Sequence, residues 1–119
     1  MGLINASSAE PSAFSEKHGH ALTEGENVHV AFKTARDWIA FTDWRIIYVD
    51  VQGLTGSKKQ YLSVPYRSVT AYSVESAGTF DLDAEIKVYL SGRNPIEFKI
   101  AKNSDVAGMQ SLMAEKLNR

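Results

Sequence analysis

The chain has 119 residues and a mass of 13.1 kDa, enough for one domain core and too little for two. It is 44% hydrophobic and 23% charged with no cysteine, a globular composition that excludes a disulfide scaffold, thiolate catalysis and cysteine-ligated metal. The net charge is −1, no cluster of cations suits nucleic acid or a polybasic membrane contact, and no apolar run approaches the roughly 20 residues that span a bilayer.

Residues 1–23 form a polar N-terminal segment, and the main domain is expected over 24–119. Charge is uneven, with Lys17 alone against Glu10, Glu16, Glu24 and Glu26 at the start. Gly2-Leu3-Ile4 runs at once into Asn5, Ser7, Ser8 and Glu10, so the apolar stretch of a secretory signal is missing, and Ala6 stands where myristoylation calls for Ser or Thr. The reading is a cytoplasmic chain. Pro11 is expected to interrupt any early helix. Phe14, His18 and Leu22 recur at spacing four and predict a short helix over 13–22. Glu24-Gly25-Glu26-Asn27 is a turn into the main body.

From Val28 the period drops to two. Strands are predicted over 28–32, 38–42, 45–51, 60–64, 68–74, 86–90 and 96–100, each rich in β-branched or aromatic residues. Gly53 and Gly56 mark a turn that needs positive φ. Pro65 ends its strand or places it at an edge. In the last two strands Ile86, Val88, Leu90, Ile96, Phe98 and Ile100 alternate with mostly polar residues, and Gly92-Arg93-Asn94-Pro95 is the expected hairpin loop. Phe80 and Leu82 are expected to enter the core as the sixth strand begins.

After residue 103 the period returns to 3.6. Ser104 is the expected N-cap, and Val106, Met109, Leu112, Met113 and Leu117 form one apolar stripe. A lone helix of this length is marginal in water, so the stripe must dock on the strands. Seven antiparallel strands forming a β-sandwich or partly open barrel, with a C-terminal α-helix plugging one end, is the pleckstrin-homology (PH) arrangement.

The runs Phe41-Thr42-Asp43-Trp44-Arg45-Ile46-Ile47-Tyr48-Val49-Asp50, Gln52-Gly53-Leu54-Thr55-Gly56, Tyr61-Leu62-Ser63-Val64-Pro65-Tyr66 and Ser76-Ala77-Gly78-Thr79-Phe80-Asp81-Leu82-Asp83-Ala84-Glu85 resemble the bacterial pleckstrin-homology domain family. The resemblance covers about residues 24–118 and is poorest over the first 20 or so. It implies a stand-alone, non-enzymatic, cofactor-free cytoplasmic domain that assembles into homo-oligomeric rings, pentamers above all.

The residues themselves offer few chemistries. His18, His20 and His29 supply too few ligands for zinc and read as solvated histidines. Asp81, Asp83 and Glu85 read as a solvated strand face or turn caps, and no nucleophile elbow or P-loop is present. Eukaryotic PH domains often bind phosphoinositides through basic residues of the strand loops. By that resemblance Lys33, Arg36, Lys58 and Lys59 form a candidate anion site, partly neutralised by Asp37 and Asp43. The preferred reading is a protein-interaction module with itself as partner, another protein as a further one, and neither nucleic acid nor membrane. Tyr89 and Tyr66 are the candidate interface aromatics, with Tyr48 assigned to the core. Binding of an anionic lipid or phosphorylated ligand is the alternative.

Overall fold

The structure is a computed structural model that describes residues 2–76, 83–101 and 104–118. Among the described residues eight strands and two α-helices follow in the order β1 (Gly2–Ala9), α1 (Pro11–His18), β2 (Val28–Lys33), β3 (Trp38–Thr42), β4 (Arg45–Gln52), β5 (Lys58–Pro65), β6 (Val69–Ser76), β7 (Ala84–Leu90), β8 (Arg93–Ile100) and α2 (Val106–Leu117). They make one open sheet ordered β5-β4-β3-β2-β1-β8-β7-β6. All pairings are antiparallel except that of β1 with β8.

The seven predicted strands all form, within a few residues at their ends. Pro65 closes β5, which is also an edge strand. The eighth strand corrects the expectation of seven. Ser7, Ser8 and Ala9 pair with Lys33, Phe32 and Ala31, while Gly2, Leu3 and Ala6 pair with Glu97, Phe98 and Ile100. β1 thus joins the two halves of the sheet, although its small and polar residues show no alternation. Backbone ladders on both sides hold it, and backbone hydrogen bonding is blind to side-chain pattern. Pro11, expected to interrupt a helix, instead starts α1, where its missing N–H has no helical partner to lose. The helix ends at His18, earlier than predicted, and a 3-10 turn covers Gly19–Ala21.

The main core lies between the two halves of the sheet. Val30, Phe32, Ile39, Phe41, Ile46 and Tyr48 meet Ile86, Val88, Ile96, Phe98 and Ile100 there, with Phe32 and Phe98 ring centroids 6.1 Å apart. Alternation sends Ala31, Trp38, Ala40, Ile47 and Val49 to the outer face, where Phe14 of α1 covers them in a second core. All five residues of β3 are therefore buried.

α2 closes one end of the main core with Met109 and Met113 fully buried, and Val106, Leu112 and Leu117 half-buried. The two methionines contribute about 3–6 kcal/mol as an upper value. Asp105, not Ser104, is the N-cap, accepting from the Gly108 N–H at 2.8 Å. Ser104 Oγ instead accepts from the Ser8 N–H (3.2 Å), and Ser8 Oγ accepts from the Asp105 N–H (2.6 Å), stapling the helix start to β1.

The last hairpin is tighter than expected. Only Ser91 and Gly92 turn, with Gly92 at φ 78°, and Arg93 already pairs with Leu90. Phe80, Leu82 and Asp81 lie outside the described residues.

Candidate functional site: a cationic cleft beside the N-terminal helix

α1 is anchored by Phe14, whose ring meets Trp38 edge-on at 5.5 Å. One turn later the same face presents His18, 5.5 Å from Phe14 and 6.2 Å from Trp38. His18 was read as a solvated histidine and is instead 1% exposed. Its Nδ1 lies 3.0 Å from the Tyr61 hydroxyl, and its buried Nε2 has no hydrogen-bond partner. Burial first, then Lys17, His20 and Lys59, lower the His18 pKa below the ordinary value of 6.5, so the ring is neutral at pH 7. Lys17 and Lys59 place positive charge beside it.

The strands bring the other groups. Pairing of Lys59 with Val51 and Tyr61 with Val49 puts both on the outer pleat face, and His20 stands 5.5 Å from the Tyr61 ring. In the loop between β2 and β3, Thr34 Oγ1 accepts from the Arg36 and Asp37 N–H groups. That turn directs the Arg36 guanidinium onto the Gly53 carbonyl, across the turn between β4 and β5. Gly53 and Gly56 take the expected positive φ, at 83° and 70°.

Two hollows of about 340 and 440 Å³ result, sharing Lys17, His18 and Lys59. The first adds Arg36, Leu54 and Gly56, and the second adds His20, Ser57 and Tyr61. Among the described residues no carboxylate lines either, and Lys17, Arg36 and Lys59 have no ion-pair partner.

Of the four candidate anion ligands, the structure gathers Arg36 and Lys59 and separates the other two. Lys33 lies over the Trp38 ring, 5.2 Å from its centroid, and Lys58 alternates to the opposite pleat face. Asp37 and Asp43 do not line the cleft. Asp37 accepts from the Val51 N–H, and Asp43 accepts from the Asn27 N–H while bonding His29 at 2.5 Å. The His29 hydrogen bond, foremost, holds the Asp43 carboxyl below its ordinary range. Lys17, His18, His20 and Tyr61 were not anticipated. The spacing of Phe14 and His18 was the available signal, but it names a face and not what packs there.

A buried latch holds the cleft wall. Glu26 receives Arg45 Nε at 2.9 Å and Nη2 at 2.8 Å, the Thr42 hydroxyl at 2.6 Å and the Thr23 N–H at 3.0 Å. Arg45 also donates to the Ala21 carbonyl and the Ser63 hydroxyl, tying the segment after α1 to β4 and β5. The Arg45 hydrogen bonds, foremost, hold the Glu26 carboxyl at about 2.

The candidate interface aromatics divide. Tyr66 is buried, its hydroxyl donating to the Thr42 carbonyl at 2.7 Å, and burial drives its pKa well up. It offers no contact surface, because its side chain packs in the main core. Tyr89 is 38% exposed, opposite Ala71 of the edge strand β6. Trp44 and Leu54 are exposed at turns on either side of β4. Tyr48 is in the core as expected, its pKa raised to about 12 chiefly by burial. Among the described residues no helix is long and apolar enough to cross a membrane.

An open β-sandwich plugged by a C-terminal helix defines a PH-fold protein. Residues 1–117 match the family model described as bacterial PH domain, so the match includes the N-terminal stretch where the sequence resemblance was poorest. The chain belongs to the bacterial PH-domain family. Among similar proteins, the uncharacterized protein YjqA of Bacillus subtilis (strain 168) is 44% identical over 116 residues, covering 95% of this chain and 93% of that protein. The uncharacterized protein YozO of the same organism is 28% identical over 117 residues, covering 98% of each. A crystal structure of a DUF1696 family protein with a pleckstrin-homology domain from Shewanella loihica superposes with a TM-score of 0.82 at 38% identity, covering 95% of this chain and 97% of that one. A pleckstrin homology domain from Shewanella amazonensis gives 0.72 at 35% identity, over 92% and 100%.

Proposed function

We propose that the chain is a non-catalytic cytoplasmic interaction module whose first partner is itself, assembling head to tail through the two edges of its open sheet. The observation that carries this reading is the opposite character of those edges. β5 carries Lys58 and Lys59 and no acid, whereas β6 carries Glu75 and no base. Glu75 sits directly opposite Glu85, an unfavourable cross-strand pair that a cation from a second copy would relieve. Unpaired edges also need covering, and Tyr89 supplies a stiff aromatic contact beside the acidic one. Joining unlike surfaces gives a ring when the rotation closes. The resemblance to bacterial PH domains favours five copies.

Light scattering on the full chain tests this. The expected mass is near five times 13.1 kDa and constant over the micromolar range. Tyr89→Lys is expected to shift it toward smaller species with the β-rich circular dichroism intact. A wild-type mass near 13.1 kDa throughout overturns self-association. An unchanged Tyr89→Lys mass rejects only that contact residue.

A further inference from the structure

We propose that the cleft between α1 and the β4–β5 hairpin binds a phosphate monoester group, with Lys17, Arg36 and Lys59 as its counter-charges and the His18 Nε2–H and His20 as hydrogen-bond donors. This site differs from the set of loop cations that the eukaryotic resemblance suggested. Lys33 and Lys58 stand outside it, while α1 and the turn after it supply Lys17, His18 and His20.

Three observations converge. First, among the described residues the two hollows are lined by three permanent cations and no carboxylate. Second, those cations are held close despite their mutual repulsion. Arg36 is pinned to the Gly53 carbonyl, Lys59 is fixed by the β4–β5 register, and Lys17 follows from the docking of Phe14. Third, His18 is buried at the wall shared by both hollows, with Nε2 unpartnered. A buried polar atom without a partner is costly, and an oxyanion reaching this wall supplies one when Tyr61 donates to Nδ1 and the ring carries its proton on Nε2. The C-terminal end of α1 opposes an anion with about half an elementary charge, which three full cations outweigh.

A monoester suits the cleft better than a diester because its two charges better match three cations. The rim leaves the source open to one further distinction. Leu54, fully exposed at the hairpin tip, lines the same hollow as Arg36 and Lys17. A lipid headgroup would bring acyl chains to that tip, and a free phosphate ester would not.

The test is titration of the 15N-labelled full chain with inorganic phosphate and with glycerol 3-phosphate, alongside co-sedimentation with phosphatidylcholine vesicles with and without phosphatidic acid. Amide shifts are expected at Lys17–Ala21, Arg36 and Leu54–Lys59 by about 20 mM phosphate, above the millimolar Kd that a few exposed charge-assisted contacts support. The His18 titration midpoint is expected to rise on binding, because an anion offsets the positive charge of Lys17 and Lys59 beside it. Lys17→Ala with Arg36→Ala is expected to weaken binding about tenfold or more. Lys33→Ala, which removes a cation outside the cleft, is expected to leave it unchanged. Co-sedimentation only with phosphatidic acid, reduced by Leu54→Ser, assigns the group to a lipid, and soluble binding without co-sedimentation assigns it to a free ester. No shifts at about 20 mM, or equal binding by a folded double variant, overturns the site. The mass measurement that tests self-association is separate, so either proposal can fail alone.

Discussion

At the scale of single residues, Glu26 decides most. Its side chain is fully buried and meets four donors from Arg45, Thr42 and Thr23. Removing one partner of such a pair is strongly destabilising, and Glu26→Ala is expected to cost about 3 kcal/mol in urea unfolding. The pH dependence follows from the lowered pKa. Folded Glu26 titrates at about 2, against an ordinary value of 4.5. Its contribution is therefore fully present above 4.5 and lost as pH falls toward 2. Wild-type stability is expected to fall through that window, and Glu26→Gln to flatten the fall. Parallel acid limbs for the two proteins would show that Glu26 is not the group responsible.

Gly108 gives a second residue-scale prediction. A Cβ there would collide with the Asp105 carboxylate, which caps the helix through the Gly108 N–H. Gly→Ala within a helix ordinarily stabilises by about 0.5–1 kcal/mol, while loss of an aspartate cap costs about 1 kcal/mol. Gly108→Ala is therefore expected to be near neutral alone and stabilising in an Asp105→Ala background. A double-mutant cycle by thermal unfolding checks this, and additivity would mean the cap survives the added methyl.

At the scale of elements, α2 was legible because its stripe is both apolar and periodic. Met109 and Met113 are buried, while Gln110 on the opposite face is exposed. Met113→Asp places an unpaired charge in the main core and is expected to cost at least about 4 kcal/mol, with Gln110→Asp close to neutral. Equal melting temperatures for the two variants would overturn the orientation of the helix. β1 was illegible for the opposite reason. Its place rests on ladders to β2 and β8 and on the Ser8–Ser104 staple, partners about 20 to 100 positions away. α1 falls between these cases. The spacing of Phe14 and His18 marked its inner face, but its contacts with Trp38 and Tyr61 exist only once β3 and β5 are in register.

At the scale of the whole molecule, two free edges of opposite sign make the sheet directional. Glu75→Lys separates monomer stability from assembly. It replaces the Glu75–Glu85 repulsion with an attraction, so the isolated domain is expected to gain about 0.2–1 kcal/mol. The same change removes the acid from the β6 edge and is expected to lower the mass seen by light scattering. A more stable protein with undiminished mass would place the subunit contact elsewhere.

Alternation, glycine and proline placement and the terminal apolar stripe were sufficient in the sequence to establish a mainly β domain with a C-terminal helix. These are local signals, since each side chain's inward or outward direction follows from its neighbours along the chain. The tertiary structure alone decided that Ala6 completes the main core, that Asp37 accepts from Val51 and Asp43 bonds His29, and that Lys17, His18 and His20 join Arg36 and Lys59 around one cleft. Strand register and helix docking place these distant residues together, through backbone hydrogen bonds and aromatic packing between segments whose pairing a one-dimensional pattern does not specify.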